Sequence, residues 1–426
     1  MMERRRFLSL AAATGAAGAV GMTAAGCDSG PGSDEVTLKL VAADYGDSGE
    51  NSSEKYWKDL AASFTEKHPG VRVDVAVHSW SEVDRKVAEM VKAGEAPDLA
   101  QIGAYADYAA EGKLYKANEL LSIPVQADFL TGLAEAGEVR RVQYGLPFVS
   151  STRLLFYNKD LFAKAGLDPD DPPQSWKALK AAARKLKDAG VKYPYGLPLG
   201  REEAPAETLI WMLGGGGGYT DTVGNYTINS AANIDTFAWI RDNLVKPGLT
   251  GGKPGRIDRQ TLFDAFSEGD VGMLNGHPTL MQQADRGKIS YGTGRIPGKG
   301  GPSEATLGVA DWMMAFKQNG HRLECRKFLD YVYREKNHYA FADRYDLMPV
   351  TTSATERMRG DRRHKELWRF LDQLPDAEFY PAGKVSWAGT SADIKKNIGK
   401  AVEPGGDPAA VLGAIQRSAE SEERSE

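Results

Sequence analysis

The sequence predicts an α/β protein with two domains, each a mostly parallel sheet flanked by helices. Three observations lead there. Residues 36–102 alternate strand-like and helix-like patterns in the order β-α-β-α-β, and the alternation restarts at Leu154. A chain of 426 residues, 42% hydrophobic and without a repeat of fixed period, is also long enough to bury two separate cores. Strands joined through a helix run parallel because the right-handed crossover returns the chain to the same end of the sheet.

The first 27 residues stand outside that pattern. Arg4-Arg5-Arg6-Phe7-Leu8-Ser9 has the form of a twin-arginine export signal, and Leu10 to Ala25 is apolar but too short and too rich in Ala and Gly to anchor as a membrane span. Ala24-Ala25-Gly26-Cys27 resembles a bacterial lipobox, with Ala24 where Leu is usual. That resemblance implies a diacylglycerol thioether on Cys27, and two acyl chains hold a protein on a membrane where one would exchange. Residues 28–35, DSGPGSDE, read as a tether with nothing to bury. Cys325 is the only other cysteine, so no intrachain disulfide is expected; Leu323, Phe328, Leu329 and Val332 around it mark a small core residue. No apolar run after Cys27 approaches the roughly 18 residues of a span. The expected location is the outer face of the bacterial cytoplasmic membrane, reached by the twin-arginine route and held by lipid. A net charge of −5 argues against a nucleic-acid partner, whose affinity depends on Lys and Arg displacing counterions.

In chain order, Val36, Leu38 and Leu40 alternate into Val41-Ala42-Ala43, a strand. Trp57, Leu60, Ala61 and Phe64 share one side of a helix that Pro69-Gly70 breaks. Val71, Val73, Val75 and Val77 alternate again, Ser81 and Asp84 have the spacing of a capping box, and Leu99 to Ile102 is a third strand. Ligands on such sheets bind beyond the carboxyl ends of the strands, which nominates the loops Asp44 to Ser53, His78 to Trp80 and Gly103 to Tyr108. Leu154 to Tyr157 is a buried strand, Asn158 caps a short helix that exits at Gly166, and Ser175 caps a longer one stopped by Gly190. Tyr195 to Leu199 reads as a strand and Glu203 to Leu213 as a helix running into five glycines. Val271 to Leu274 is a strand followed by Asn275-Gly276-His277. Tyr291 to Pro297 and Trp312 to Phe316 are extended, with Gly308 to Asp311 as the loop before the latter. From Thr355 the chain is mostly helical, including a helix capped by Asp407 with Pro408 at its first position.

The letters are more specific than these patterns. FTEKHPGVRVDV, APDLA, YGLPF, YNKDLFAKAGLDP, FSEGDVGMLNG, IPGKGG and DLMPV follow one another across most of the chain. Together they resemble the bacterial extracellular solute-binding proteins of family 1, the maltose-binding-protein-like sugar receptors of ABC importers. The resemblance implies a two-lobed periplasmic-binding fold of type II with three hinge crossings, near Pro147–Thr152, Arg295 and Leu347–Val350. Lobe I would comprise 36–148 plus 296–347, and lobe II 149–295 plus 348–420. It further implies a monomer that captures a carbohydrate between the lobes and presents it to the transmembrane subunits of an ABC permease.

No motif for catalysis accompanies this. Gly46-Asp47-Ser48-Gly49 is one residue short of a nucleophile elbow, the six histidines show no metal-binding pair at helical spacing, and Gly214 to Gly218 lacks the Lys-Ser/Thr of a phosphate loop. A glycosidase would need two opposed carboxylates, for which 58 acidic residues leave room but give no motif. No cofactor and no metal are expected. For a binding protein the informative residues are aromatic rings at strand ends, since a sugar's C–H face packs on an aromatic plane while polar neighbours meet its hydroxyls. Tyr45, Trp80, Tyr105 and Trp211 qualify by position, although Trp211 also falls in a helix, and Trp312 and Trp387 through the family resemblance. Trp80 could equally staple the helix after it, and Trp57, Trp176, Trp239 and Trp368 lie on helical faces that read as core. Asp44, Asp311, Asn275 and His277 are the hydroxyl partners, against the alternative that the Asp and Asn residues only form turns. His277 departs from the family, where the Asn-Gly is often followed by Trp, and so widens the solute class to polyamines, phosphorylated polyols or peptides.

Overall fold

The computed structural model describes residues 35–46, 51–80 and 82–424. The export signal, Cys27 and all of the tether but Glu35 lie outside them. Among the described residues, twelve strands fall into two main sheets and one short ribbon. In chain order they are β1 (Val36–Ala43), β2 (Val71–His78), β3 (Leu99–Ile102), β4 (Glu138–Val139), β5 (Val142–Gln143), β6 (Leu146–Ser151), β7 (Leu154–Asn158), β8 (Tyr193–Gly196), β9 (Val271–Gly276), β10 (Tyr291–Gly294), β11 (Thr306–Ala315) and β12 (Ala377–Phe379). The first sheet has the order β12-β11-β3-β1-β2, with β6 also paired to β11; the second has the order β10-β7-β9-β8.

Each sheet buries both faces, as strands joined through helices require. Leu38, Leu40 and Ala42 of β1 enter one core, with Trp57 and Phe64 of the helix Ser53–Lys67, while Val41 and Ala43 enter another with Val83 and Val87. In the second sheet Leu155 and Tyr157 pack against Trp176 and Leu179, and Leu154 and Phe156 against Phe263 and Phe266. Cys325 sits in the first lobe's core.

The sheets are mixed rather than mostly parallel. β1 runs parallel to β2 and β3, but β11 is antiparallel to β3 and β6, and β7 is antiparallel to β9 and β10. The reason is the route of the chain. A strand reached by a helical crossover keeps direction, whereas β7 and β11 are entered from the opposite lobe. The chain leaves the first sheet between β6 and β7, returns between β10 and β11, and passes again between helix Glu335–Tyr345, packed in the first lobe, and helix Thr352–Gly360, packed in the second. β12 then rejoins the first sheet beside Thr306–Gly308 before helix Trp387–Asn397 packs in the second lobe.

Local chemistry agrees at several ends. Asn158 accepts from Leu161 N at 3.0 Å, Ser175 from Ala178 N at 3.3 Å and Asp407 from Ala410 N at 3.1 Å, while Gly166 and Gly190 have positive φ. Three expectations change. The helix Val83–Lys92 starts at Glu82 without a side-chain cap, and Asp84, expected in a capping box with Ser81, which lies outside the described residues, accepts from Gly103 N at 3.1 Å. β8 covers Tyr193–Gly196, because Pro198 has no N–H with which to continue it. Gly308–Asp311 is not a loop; it is strand from Thr306 onward, held by β6 and β12, with a bulge between Asp311 and Trp312.

Candidate functional site

A cavity of about 580 Å³ opens where the carboxyl end of β1 meets that of β9. Asp44, Tyr45, Trp80 and Asp311 reach it from the first lobe, His277 and Arg259 from the second, and Arg153 from the crossing between β6 and β7. Five of the ten nominated residues therefore converge, though they play different parts.

Asp44 is committed to its own loop. Its carboxylate accepts from Gly46 N (3.0 Å), Ser53 N (2.8 Å) and the hydroxyls of Ser52 (2.8 Å) and Ser53 (3.2 Å). Partial burial pushes its pKa up, but these four donors outweigh it and hold the group below the ordinary carboxylate value. Tyr45, next in sequence, is thereby aimed into the cavity. Its hydroxyl donates to Asp311 Oδ2 at 2.8 Å and accepts from Gln101 Nε2 at 2.7 Å, and its ring meets Trp80 edge-on at 5.4 Å. Trp80 is 37% exposed, with a face open to a ligand. Burial pushes the Asp311 carboxyl up to about 7, against the lowering effect of the Tyr45 hydroxyl.

The second lobe contributes a chain of opposite charges that the sequence did not announce. Arg153, 4% exposed, donates through Nη2 to Glu203 Oε1 at 2.7 Å. Arg259 reaches Glu203 Oε2 at 2.6 Å through Nε and Glu202 Oε1 at 2.5 Å through Nη2. His277 shares a hydrogen bond of 2.9 Å between Nδ1 and the Thr279 hydroxyl and packs on Phe263 at 5.0 Å. Burial, reinforced by the Arg153 and Arg259 charges, lowers its pKa well below the ordinary value, so the imidazole is neutral. The signal for the arginines lay in position alone: Arg153 directly precedes β7, and Arg259 opens a helix beside the strand end at Asn275.

The other five nominated residues do not line this cavity. Asn275, 6% exposed, donates to Tyr195 Oη and Glu207 Oε1, both at 2.9 Å. Trp211 donates from Nε1 to the same Glu207 oxygen at 2.8 Å and packs its ring against Trp176 and Trp239. Both thus belong to a buried polar knot behind the cavity, in which burial pushes the Glu207 carboxyl up to about 7. Trp312 and Tyr105 pack edge-on at 5.1 Å in the first lobe's core, and the Tyr105 hydroxyl donates to Ala136 O at 2.7 Å. The bulge before Trp312 turns its side chain into that core while Asp311 stays at the cavity. Trp387 is half-buried and lines a separate, smaller cavity of about 380 Å³, with Tyr108 and Lys92 in its wall.

The family profile for bacterial extracellular solute-binding proteins matches residues 48–339. A protein of Brucella abortus strain 2308 named as a binding protein is 26% identical over 385 residues, covering 88% of this chain and 90% of its own. The sn-glycerol-3-phosphate-binding periplasmic protein of Salmonella typhimurium is 30% identical over 223 residues, covering 50% of each chain. Among solved structures, an ABC transporter solute-binding protein from Thermotoga lettingae, bound with α-D-tagatose, superposes with a TM-score of 0.76 at 19% identity, covering 91% of this chain and 99% of that one. A likeness at that identity speaks for the fold.

Proposed function

The chain belongs to the bacterial extracellular solute-binding protein family and has the two-lobed, type II periplasmic-binding fold; on that premise we propose that it captures a neutral sugar or oligosaccharide and delivers it to an ABC permease, without chemistry. The observation that carries the choice of solute is the composition of the larger cavity. An exposed indole, Trp80, stands over polar groups in which Arg153 and Arg259 pair with Glu203 and Glu202, His277 is neutral, and burial favours the protonated form of Asp311, bonded to the Tyr45 hydroxyl. Such a surface suits a solute with apolar C–H faces and uncharged hydroxyls.

The rival is a phosphorylated polyol, favoured by the guanidiniums at the cavity and by the printed name of the Salmonella relative. A phosphate would have to displace Glu203 or lie beside it. Separating Glu203 from the buried Arg153 leaves that guanidinium unpaired, at a cost of up to about 3 kcal/mol, which the new contact would first have to offset. The carbohydrate reading is therefore preferred. The larger cavity's Tyr45, Trp80, Asp311 and His277 are the ligand contacts in this reading, with Asp44 as their support.

The wider setting belongs to the same proposal. The chain acts as a monomer, exported by the twin-arginine route and anchored through Cys27, with lobes formed by 36–148 plus 296–347 and by 149–295 plus 348–420, the strand at 377–379 being lent to the first. No helix of the described residues is long and apolar enough to cross a membrane.

Isothermal titration against neutral mono- and oligosaccharides and glycerol phosphates tests the solute. Saturable heat with a carbohydrate, weakened about tenfold or more by Trp80→Ala, is the expected result. Heat with glycerol phosphates alone would transfer the assignment to the rival.

A further inference from the structure

One helix of the second lobe carries charge that the fold does not use. The helix Trp176–Asp188 buries Trp176, Leu179, Ala182, Ala183 and Leu186, and its outer side holds Lys177, Lys180, Arg184, Lys185 and Lys187 with no acid before Asp188. Residues seven apart lie nearly in line, so Lys177, Ala181 and Arg184 form one exposed stripe about 10 Å long, flanked by Lys180. Other surface helices of the protein neutralise their own cations: Lys55 pairs with Asp59, Lys58 with Glu54 and Arg85 with Glu89, each four residues apart. Here Lys180 donates to the Asn243 side chain, Lys185 and Lys187 to the carbonyls of Gly166 and Pro247, and Lys177 and Arg184 to no described residue. Acids on the adjoining segments are engaged elsewhere, Asp170 with Lys159 and Asp242 with Arg241 and Lys246. Cations in a last turn favour the helix dipole, which accounts for Lys185 and Lys187. Lys177 stands in the first turn, where the dipole opposes it, and Lys180 and Arg184 repel each other at four residues.

We propose that this face is a docking surface for the anionic headgroups of a lipid bilayer, and that the second lobe lies with the helix Trp176–Asp188 against the membrane. A bilayer fits the feature because it presents many phosphates at one level, which a stripe of separated cations meets without a shaped pocket, each cation near the surface adding to the attraction. Exposed Ala178 and Ala181 stand no higher than a methyl group, so the long side chains of Lys177, Lys180 and Arg184 reach the headgroups together. On a chain whose net charge is −5, a cationic face also orients the body, since the acidic remainder is repelled. The inference rests on the proposed anchor at Cys27, since residues 28–35 span at most about 30 Å and keep the body beside the bilayer, and it adds which side lies down.

Flotation of residues 28–426 with vesicles tests this. That polypeptide contains every described element but neither Cys27 nor an acyl chain, so the outcome does not depend on whether the anchor forms. It should float with vesicles of phosphatidylglycerol and phosphatidylcholine in equal parts at about 20 mM salt, stay behind with phosphatidylcholine alone, and be released at about 500 mM salt. Lys177→Glu with Arg184→Glu, both exposed and without a described partner, should lower the partition coefficient about tenfold or more. Lys317→Glu with Lys336→Glu, exposed positions of the first lobe, makes the same change in net charge and should lower it no more than about twofold. No flotation on the anionic vesicles, or equal losses from the two pairs of substitutions, would overturn the proposal.

Discussion

At the scale of single residues, the site depends on which polar groups are already satisfied. Glu207 is the sharpest case, because one of its oxygens receives Trp211, Tyr195 and Asn275 with no cation in direct contact. In the unfolded chain its carboxyl titrates near the ordinary 4.5, and in the folded protein near about 7. Between those values the native state holds a proton that the unfolded state has released. The stabilisation is complete below 4.5 and lost as pH rises through 7, a loss of roughly 3 kcal/mol. Glu207→Gln should remove that dependence. Urea midpoints at pH 5 and pH 8 should draw apart in the wild type more than in the variant, and parallel shifts in both would contradict the assignment. Sequence reasoning puts Tyr45 and Trp80 where the larger cavity lies, because they follow strands at their carboxyl ends. It missed Arg153, Glu203 and Arg259, since an ion-paired arginine looks in sequence like any surface arginine. It placed Trp312 in the cleft because residue type and neighbourhood cannot reveal a one-residue bulge, and that bulge decides which face of β11 a side chain takes.

At the scale of elements, strands and helix ends were the most legible features, since alternation and capping are local. The alternating valines of β2, the caps at Asn158, Ser175 and Asp407 and the stops at Gly166 and Gly190 all appear where spacing put them. Sheet direction was not legible, because whether a strand arrives by a crossover or from the other lobe depends on contacts far apart in sequence. The element that connects local order to function is the turn from β1 into helix Ser53–Lys67. Asp44 pins it through four hydrogen bonds, Ser52 accepts from Glu54 N at 3.2 Å, and the result aims Tyr45 at Asp311. Asp44→Ala would leave the Ser53 and Gly46 amides without that acceptor. A stability loss of about 1–3 kcal/mol is expected, with weaker ligand binding through the displaced Tyr45. Chemical denaturation and titration on the same variant check both parts. An unchanged midpoint with lost affinity would instead make Asp44 a direct contact.

At the scale of the whole molecule, the two lobes are bound by topology as much as by packing. The core on one face of the first sheet joins Leu38, Met313 and Val350, and a core of the second joins Leu155, Leu307 and Leu412. Neither lobe is a continuous segment, so unfolding one withdraws strands and helices from chain that the other must keep in place. The crossings are tied to one another as well. The Thr306 hydroxyl donates to Arg153 O at 2.9 Å, joining the start of β11 to the β6–β7 crossing, and Ser150 and Met348 exchange backbone hydrogen bonds at 2.9 and 3.0 Å. A fold connected in this way should melt as one cooperative unit despite its two sheets. Differential scanning calorimetry of the mature protein should give a single transition whose calorimetric and van't Hoff enthalpies agree. Ligand at 100 times its dissociation constant should stabilise that transition by about 2.7 kcal/mol without splitting it, as expected for a ligand that binds only the native state between the lobes. Two resolved transitions, with only one moved by ligand, would mean that the lobes fold independently and that the site belongs to one of them.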